Sequence, residues 1–428
     1  MKRLCAKVVV SFLLVLVMAA CGEDEGSGLE LEYCTLKLDG DILIGEFLPF
    51  DGDLATFGPY LDPAVAQAIM EINQGGGIHG QTLGYVQCNT SSEANVAIAA
   101  TVELFENFDI PAIVGPILTP CTFGMLELLM TEQVTANTFN QLPQVTHLED
   151  DGYIFRTTAS AQIMVDIAVQ TTVDNGWLKT FAFHQDDGYG NPLYEMYKEG
   201  IEQAGGQSQH YTYRPADTDN YAEIAVSTAR ESYPPEGPDL IMSMTFVEDG
   251  AAIMGNAFSW RQEPDAPKWF MFNAQKHPEF VRQIGGIDAA IGVLGCSMGH
   301  AANQDYQVFA DRFVELWGNE PFDFSPNAYD AVYTLAIAMA LSDDPTDGTQ
   351  IRDNMPNVTQ GTTVHPQEWE RILSLVPEGR MNYEGASGSV DFDSNGDVPE
   401  NVFTWVVNEQ GVFETECWRP DGSSCGSL

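Results

Sequence analysis

The chain has 428 residues, 44% of them hydrophobic, with 62 acidic against 18 basic side chains for a formal charge of −44. So large an acidic excess repels phosphate groups and excludes nucleic acid as a natural partner. The length suits two globular lobes rather than one, and the charge suits a chain kept soluble at high ionic strength, where repulsion is screened.

Lys2, Arg3 and Lys7 precede an apolar run from Val8 to Ala20. The run is too short to span a bilayer and has the shape of a signal-peptide core. Residues 1–20 therefore read as a leader, and its removal takes away three positive charges and leaves −47. It ends Met18-Ala19-Ala20-Cys21, which resembles a bacterial lipobox. On that resemblance Cys21 is acylated, becomes the mature N-terminus and anchors an exported protein that faces the periplasm or the cell exterior. Residues 21–40, acidic and glycine-containing, read as the tether.

Ile42–Ile44 is a short apolar strand, followed by a loop, a helix ending near Asn73, the run Gly75–Gly77 and a second strand over Thr82–Gln87. This is one βα unit opening another, as in a parallel α/β sheet. The order of Gly45, Pro49, Gly52, Ala55, Gly58, Ile72, Asn73, Gly76, Gly77, Ile78 and Gly80 resembles the opening of the type I periplasmic binding proteins, the branched-chain amino-acid-binding group. That family has a Ser after the proline; here it is Phe50. The resemblance continues, with Tyr153–Thr157 at the first crossing between lobes, the turn Asp187-Gly-Tyr-Gly190, Pro326–Ala331 at a helix start, and Gly385–Asp397 with Phe403–Val407 as a closing hairpin. It spans Ile42–Phe413, about nine-tenths of the chain.

Between these landmarks strands and helices alternate. Thr90-Ser-Ser-Glu93 predicts a capping box for a helix to Asn107. Pro111–Pro116, Val134–Phe139, Thr180–His184, Gln209–Tyr213, Pro238–Met244 and Trp269–Asn273 read as strands. Cys121–Glu132, Ile163–Asp174, Asn191–Ala204, Tyr221–Glu231, Pro278–Gln283 and Tyr306–Trp317 read as helices. The expected fold is α/β: two Rossmann-like lobes with parallel central sheets, joined by three crossings. Residues 41–157 and 291–342 are assigned to lobe one, 158–290 and 343–416 to lobe two, and 417–428 to a tail. Residues 347–380 look irregular, as an insertion does.

In open α/β sheets ligands sit beyond the carboxyl ends of strands. The loops after strands are therefore the candidates: Phe50–Asp53, Ile117–Thr122, and Phe139, Asn140 and Gln141. The resemblance implies that Thr119 and Thr122 stand where the family binds a ligand carboxylate with hydroxyl and N–H groups at a helix start; capping that helix is the alternative. It also implies that Tyr189 stacks on the ligand, that Phe246 is a second aromatic contact, and that Asn273 and Gln275 fall where amino-acid binders place a Glu. Glu248 or Asp249 is the nearest substitute. Asp51 and Asp187 read as capping or solvent-facing. Such a site suits a small amphipathic solute passed to an ABC permease, with no cofactor. A ligand-sensing lobe for a receptor is the alternative that the sequence leaves open.

Other motifs carry less. Gly295-Cys-Ser-Met-Gly299 matches the nucleophile elbow of hydrolases, with Ser297 as nucleophile and a base such as His365, but the next helix starts too late for an elbow. Asp391-x-Asp393-x-Asn395-Gly396-Asp397 resembles half a calcium loop and has Val402 where a bidentate Glu belongs; a tight turn is the plainer reading. The Gly75–Gly77 run follows a helix and is a C-cap, not a phosphate cradle. Six cysteines besides Cys5 and Cys21 predict disulfides in an oxidising compartment and show no zinc spacing. Cys88 and Cys121 follow neighbouring strands and are the first expected pair, Cys417–Cys425 the second, and Cys34–Cys296 what is left.

Overall fold

The computed structural model describes residues 30–216, 218–272, 276–298, 303–322, 324–399, 402–410 and 413–418. The first sheet contains β1 (Cys34–Leu38), β2 (Ile42–Leu48), β3 (Leu83–Asn89), β4 (Ala112–Val114), β5 (Thr135–Thr138) and β6 (Ile154–Arg156), in the spatial order β1-β3-β2-β4-β5-β6. All neighbours run parallel except β1, which lies antiparallel on β3. The second sheet takes β7 (Lys179–Gln185), β8 (Gln207–Tyr213), β9 (Leu240–Met244), β10 (Lys268–Met271) and β11 (Leu294–Met298). A small third sheet is made of β12 (Thr362–Val364), β13 (Met381–Gly385) and β14 (Gly388–Ser389). The hairpin β15 (Val402–Val407) and β16 (Phe413–Trp418) then closes the second sheet, in the order β16-β15-β11-β10-β9-β7-β8. The chain thus passes between the two main sheets three times, as expected for the two-lobe fold.

The boundaries differ from the sequence reading in two places. β11 pairs with β10 and with β15, so it belongs to lobe two and the return lies after Met298, not at 291. Residues 343–398 pack on lobe one instead of lobe two: Ile351, Val364, Trp369, Met381 and Tyr383 share one core with the helix Ser325–Leu341. Every residue of that helix but Leu341 is buried, which requires cover all round. The supposed insertion supplies the cover. Trp369 donates from Nε1 to the Gly77 carbonyl at 2.9 Å. A Cβ on Gly75 would stand 2.6 Å from that of Trp369, so the glycine run admits the indole as well as ending a helix.

The cysteine pairing is also corrected. Cys34 opens β1 directly opposite Cys88 on β3, and these two form the disulfide. Cys121 and Cys296 are free and buried, so neither Cys88–Cys121 nor Cys34–Cys296 exists. The error follows from reading the segment before residue 41 as tether, which hid an antiparallel edge strand. Cys417 lies on β16, but Cys425, like Cys21 and the leader, lies outside the described residues. The capping box at Thr90 does not form: Glu93 is the N-cap of the helix Ala94–Asn107, with no side-chain bond to the first turn.

Candidate functional site

Both lobes reverse their strand order once: β2 stands between β3 and β4, and β7 between β8 and β9. Such switch points open a crevice at the carboxyl ends of the strands. The two crevices face each other. A cavity with about 520 Å³ of unfilled space, its mouth included, lies between them.

Lobe one contributes Leu54 and Phe57 from the loop after β2, Ile117, Leu118 and Thr119 after β4, and Phe139 and Gln141 after β5. Lobe two contributes Tyr189 after β7, Met244, Thr245 and Phe246 at the end of β9, and Phe272 after β10. Phe324, just before the buried helix, completes the wall. Tyr189 and Phe246 stack with ring centroids 5.7 Å apart and reach the core of lobe one. Gly188 approaches so near that a Cβ there would lie 2.7 Å from Cγ of Pro120 across the gap, so the lobes are closed.

The predicted residues divide into three groups. Thr119, Phe139, Gln141, Tyr189 and Phe246 line the cavity. Phe50, Thr122 and Asn140 do not. The Phe50 ring packs beside Gly58, its N–H donates to Asn89 Oδ1 at 2.9 Å, and Leu54 and Phe57 take its place. Thr122 and Asn140 are buried and bonded to each other; Asn140 also donates to the Pro116 carbonyl at 3.2 Å and accepts from Thr138 at 3.0 Å. They hold the loops that line the site rather than face it. Asn273 and Gln275 lie outside the described residues. Thr119 is the first residue of the helix Thr119–Glu132, which has no side-chain cap, so neither threonine is spent on capping. Leu54 and Phe57 lie just beyond the expected segment Phe50–Asp53, and nothing local marks Phe324.

Carboxylates stand behind the apolar wall. Asp249 is buried and accepts from Tyr213 Oη at 2.6 Å and Gln185 Nε2 at 3.0 Å. Burial pushes its carboxyl up from the usual range, and these bonds pull the other way. Asp187 caps its own turn, accepting from the N–H of Tyr189 at 2.9 Å, and burial raises it too. Asp53, on the lobe-one side, is raised to about 6, first by burial and then by the charges of Asp249, Asp187, Glu248 and Glu93. Asp51 faces solvent and accepts from Asn89 Nδ2 at 2.9 Å.

Among the described residues Ser297 Oγ has no hydrogen-bond partner and so no catalytic base. Ser297 is buried in the middle of β11, opposite Phe403, and His365 pairs with Asp305 at 2.9 Å in the other lobe. The glycine before it is explained by packing: a Cβ on Gly295 would lie 2.2 Å from the Trp405 ring. Nor is the acidic turn a calcium site. Asp397 binds Arg156, with Nη2 to Oδ2 at 2.8 Å, while Asp393 Oδ1 accepts from the N–H groups of Asn395 and Asp397. No group of three or more metal-binding side chains occurs among the described residues.

Comparison with known proteins agrees with this geometry. A family model described as Periplasmic binding protein matches residues 41–371. A chemotactic signal transduction system substrate-binding protein of Halobacterium salinarum is 23% identical over 82% of this chain and 83% of its own length. An amino acid binding protein of Pseudomonas aeruginosa is 27% identical over 80% of this chain and 90% of its own. The crystal structure of a leucine-binding protein from Thermotoga maritima superposes with a TM-score of 0.73 at 21% identity, covering 89% of this chain and 99% of that one.

Proposed function

The chain belongs to the periplasmic binding protein family of exported, non-catalytic solute-binding proteins, and we propose that it captures a small amphipathic solute, an amino acid or a related amide or carboxylate, between its two lobes. The observation that carries this reading is the cavity at the facing switch points. It is mostly apolar, with Thr119 at an uncapped helix start and Gln141 and Tyr189 as polar contacts. Closure of Tyr189 and Phe246 onto lobe one would couple capture to a shape that an ABC permease recognises. Acylation at Cys21 would hold the protein at the membrane; it predicts detergent-phase partitioning that Cys21→Ala abolishes.

The test is thermal unfolding against amino acids, amides, carboxylates and amines. A ligand that binds only the folded state raises the midpoint. Tyr189→Ala and Thr119→Ala should erase the shift given by the bound class. A flat response to the whole panel would remove this reading. A sensory role for the same capture event is supported by the likeness to the Halobacterium substrate-binding protein of a chemotactic system. A neighbouring signalling gene in place of permease and ATPase genes would favour it. The charge of −44 fits a salty habitat, and stability that does not rise with added salt would count against that.

A further inference from the structure

The chemistry of the cavity wall narrows the solute beyond "amphipathic". Six aromatic rings border the space: Phe57, Phe139, Tyr189, Phe246, Phe272 and Phe324. Among the described residues no lysine or arginine lines it. Ring faces carry negative potential and attract cations, most strongly those stripped of water. Carboxylates close in sequence to lining residues come from both lobes, and those of Glu93, Asp187, Glu248 and Asp249 act on Asp53. Of these, Asp249 is only 3% exposed and Asp187 is half-buried, whereas Asp53, Glu93 and Glu248 lie at the surface. Closing the lobes brings Asp53 of lobe one within reach of the charges of Asp187, Glu248 and Asp249 of lobe two. Their mutual repulsion is the cost of closure, and an anion in the cavity would add to it. A positive charge there would relieve it, with the field focused by the low-dielectric walls.

We infer that the captured solute is an organic ammonium ion with an apolar body, such as an alkylamine or a quaternary amine, and not a carboxylate. The inference rests on the reading of this cavity as the solute site and replaces the amino acid, amide or carboxylate named above with a cation. Asp53 is the residue most exposed to the balance. Its carboxyl titrates near 6 under burial and the charges of Asp249, Asp187, Glu248 and Glu93. Cation binding would favour its ionised form, so affinity falls as pH drops through that value.

The experiment keeps the body of the ligand constant and varies its charge. Calorimetric binding to the purified protein compares 3-methylbutan-1-amine, leucine, 3-methylbutan-1-ol and 3-methylbutanoate, with tetramethylammonium as a permanent cation. The amine and tetramethylammonium should bind, the amine roughly 10-fold or more tighter than the alcohol, and the acid should not be detected. Between pH 7.5 and pH 5 the amine should weaken several-fold while the alcohol does not change. Asp53→Asn should reproduce that loss at pH 7.5 without lowering the melting point. Preference for the acid or for leucine overturns the inference and leaves the solute-binding reading intact. Equal affinity for amine and alcohol overturns it as well. No binding by any of the compounds, nor by the wider panel above, removes both.

Discussion

The two lobes share a topology but are held together differently. Lobe two is nearly continuous in sequence from the helix Ala161–Asp174 to β11, and aromatic packing dominates it. Phe181, Phe183 and Trp269 form one run of rings, while His184, Tyr194 and His210 form a near-parallel stack. Lobe one is assembled from two distant stretches, and at their junctions buried polar contacts are added to a shared apolar core. Glu71 receives the hydroxyls of Tyr329 and Tyr333, the latter at 2.8 Å. Asn137 donates to Thr334 at 2.8 Å, and Arg156 grips Asp397. Apolar surface joins almost any two segments, whereas directional bonds fix one register. The difference suggests that polar pins are used where a returning chain must find its place.

The sharpest way to break this comparison is at Asp330. It accepts from Tyr383 Oη at 2.7 Å, the N–H of Ala386 at 3.0 Å and the N–H of Ser387 at 2.7 Å. A Cβ on Gly385 would meet it at 2.3 Å, so the strand wraps the carboxyl closely. Asp330→Ala should cost about 3–5 kcal/mol, because several buried donors lose their only strong acceptor. Denaturant unfolding should show that loss in lobe one, with lobe-two near-ultraviolet signals unmoved; a loss below about 1 kcal/mol would mean that packing alone sets the register. Reducing Cys34–Cys88 comes next. It closes a loop of 54 residues within lobe one, for which chain entropy suggests about 2–4 kcal/mol. A reductant should lower the same transition, and in Cys121→Ser, where a buried hydroxyl has its own cost, reduction should still produce the same drop.

Acidification acts in the same sense on both lobes, since burial also raises Asp187 and Asp249, but at more sites in lobe one. Burial raises Glu46, Asp62 and Glu71, and Asp330 to about 6, all in lobe one. A carboxyl raised in the folded state binds a proton more tightly there than in the unfolded chain. Its stabilising share is full below the unfolded value near 4 and is lost as pH rises through the folded value. Lobe one should therefore gain about 2 kcal/mol on going from pH 8 to pH 5. Glu279, depressed to about 2 by Arg282, acts in the opposite sense, but only at far lower pH. A melting curve that falls steadily from pH 8 to pH 5 would contradict the assignment.

How much of this was legible beforehand follows the same division. The alternation of strands and helices and the lining positions Thr119, Phe139, Gln141, Tyr189 and Phe246 were readable, because loops after parallel strands have a fixed place in such a fold. Phe50 was misplaced because the loop after β2 sends Phe57, seven residues on, into the cavity while Phe50 folds back on Gly58. The cover over the helix Ser325–Leu341 was hidden because its elements are short, and what ties Trp369 to Gly77 is a contact 292 residues apart. β1 was lost for a different reason: five residues beside an acidic tether carry too little pattern to declare an edge strand. Local chemistry reveals what the chain repeats, and contacts between distant segments remain silent in it.

The smallest effect separates two buried carboxyls with opposite surroundings. Glu46 on β2 is fully buried; its Oε2 accepts from Gln87 at 2.9 Å, and Oε1 has no hydrogen-bond partner among the described residues. Burial drives its carboxyl well up, and the neighbouring charge of Asp62, itself bonded to Tyr85 Oη at 2.8 Å, adds to this. Glu46→Gln keeps the shape and the bond to Gln87 and removes the charge that burial penalises. It should stabilise by roughly 1–2 kcal/mol at pH 8 and by almost nothing at pH 5, where the native carboxyl is already neutral. Asp249 in lobe two is equally enclosed, yet it accepts from Tyr213, Gln185 and the N–H of Gly250. Asp249→Asn replaces an acceptor with a donor facing donors, so it should destabilise at both pH values. If Glu46→Gln instead weakened the fold equally at pH 8 and pH 5, its carboxyl would be a structural acceptor like Asp249, and buried charge would not be what separates the two.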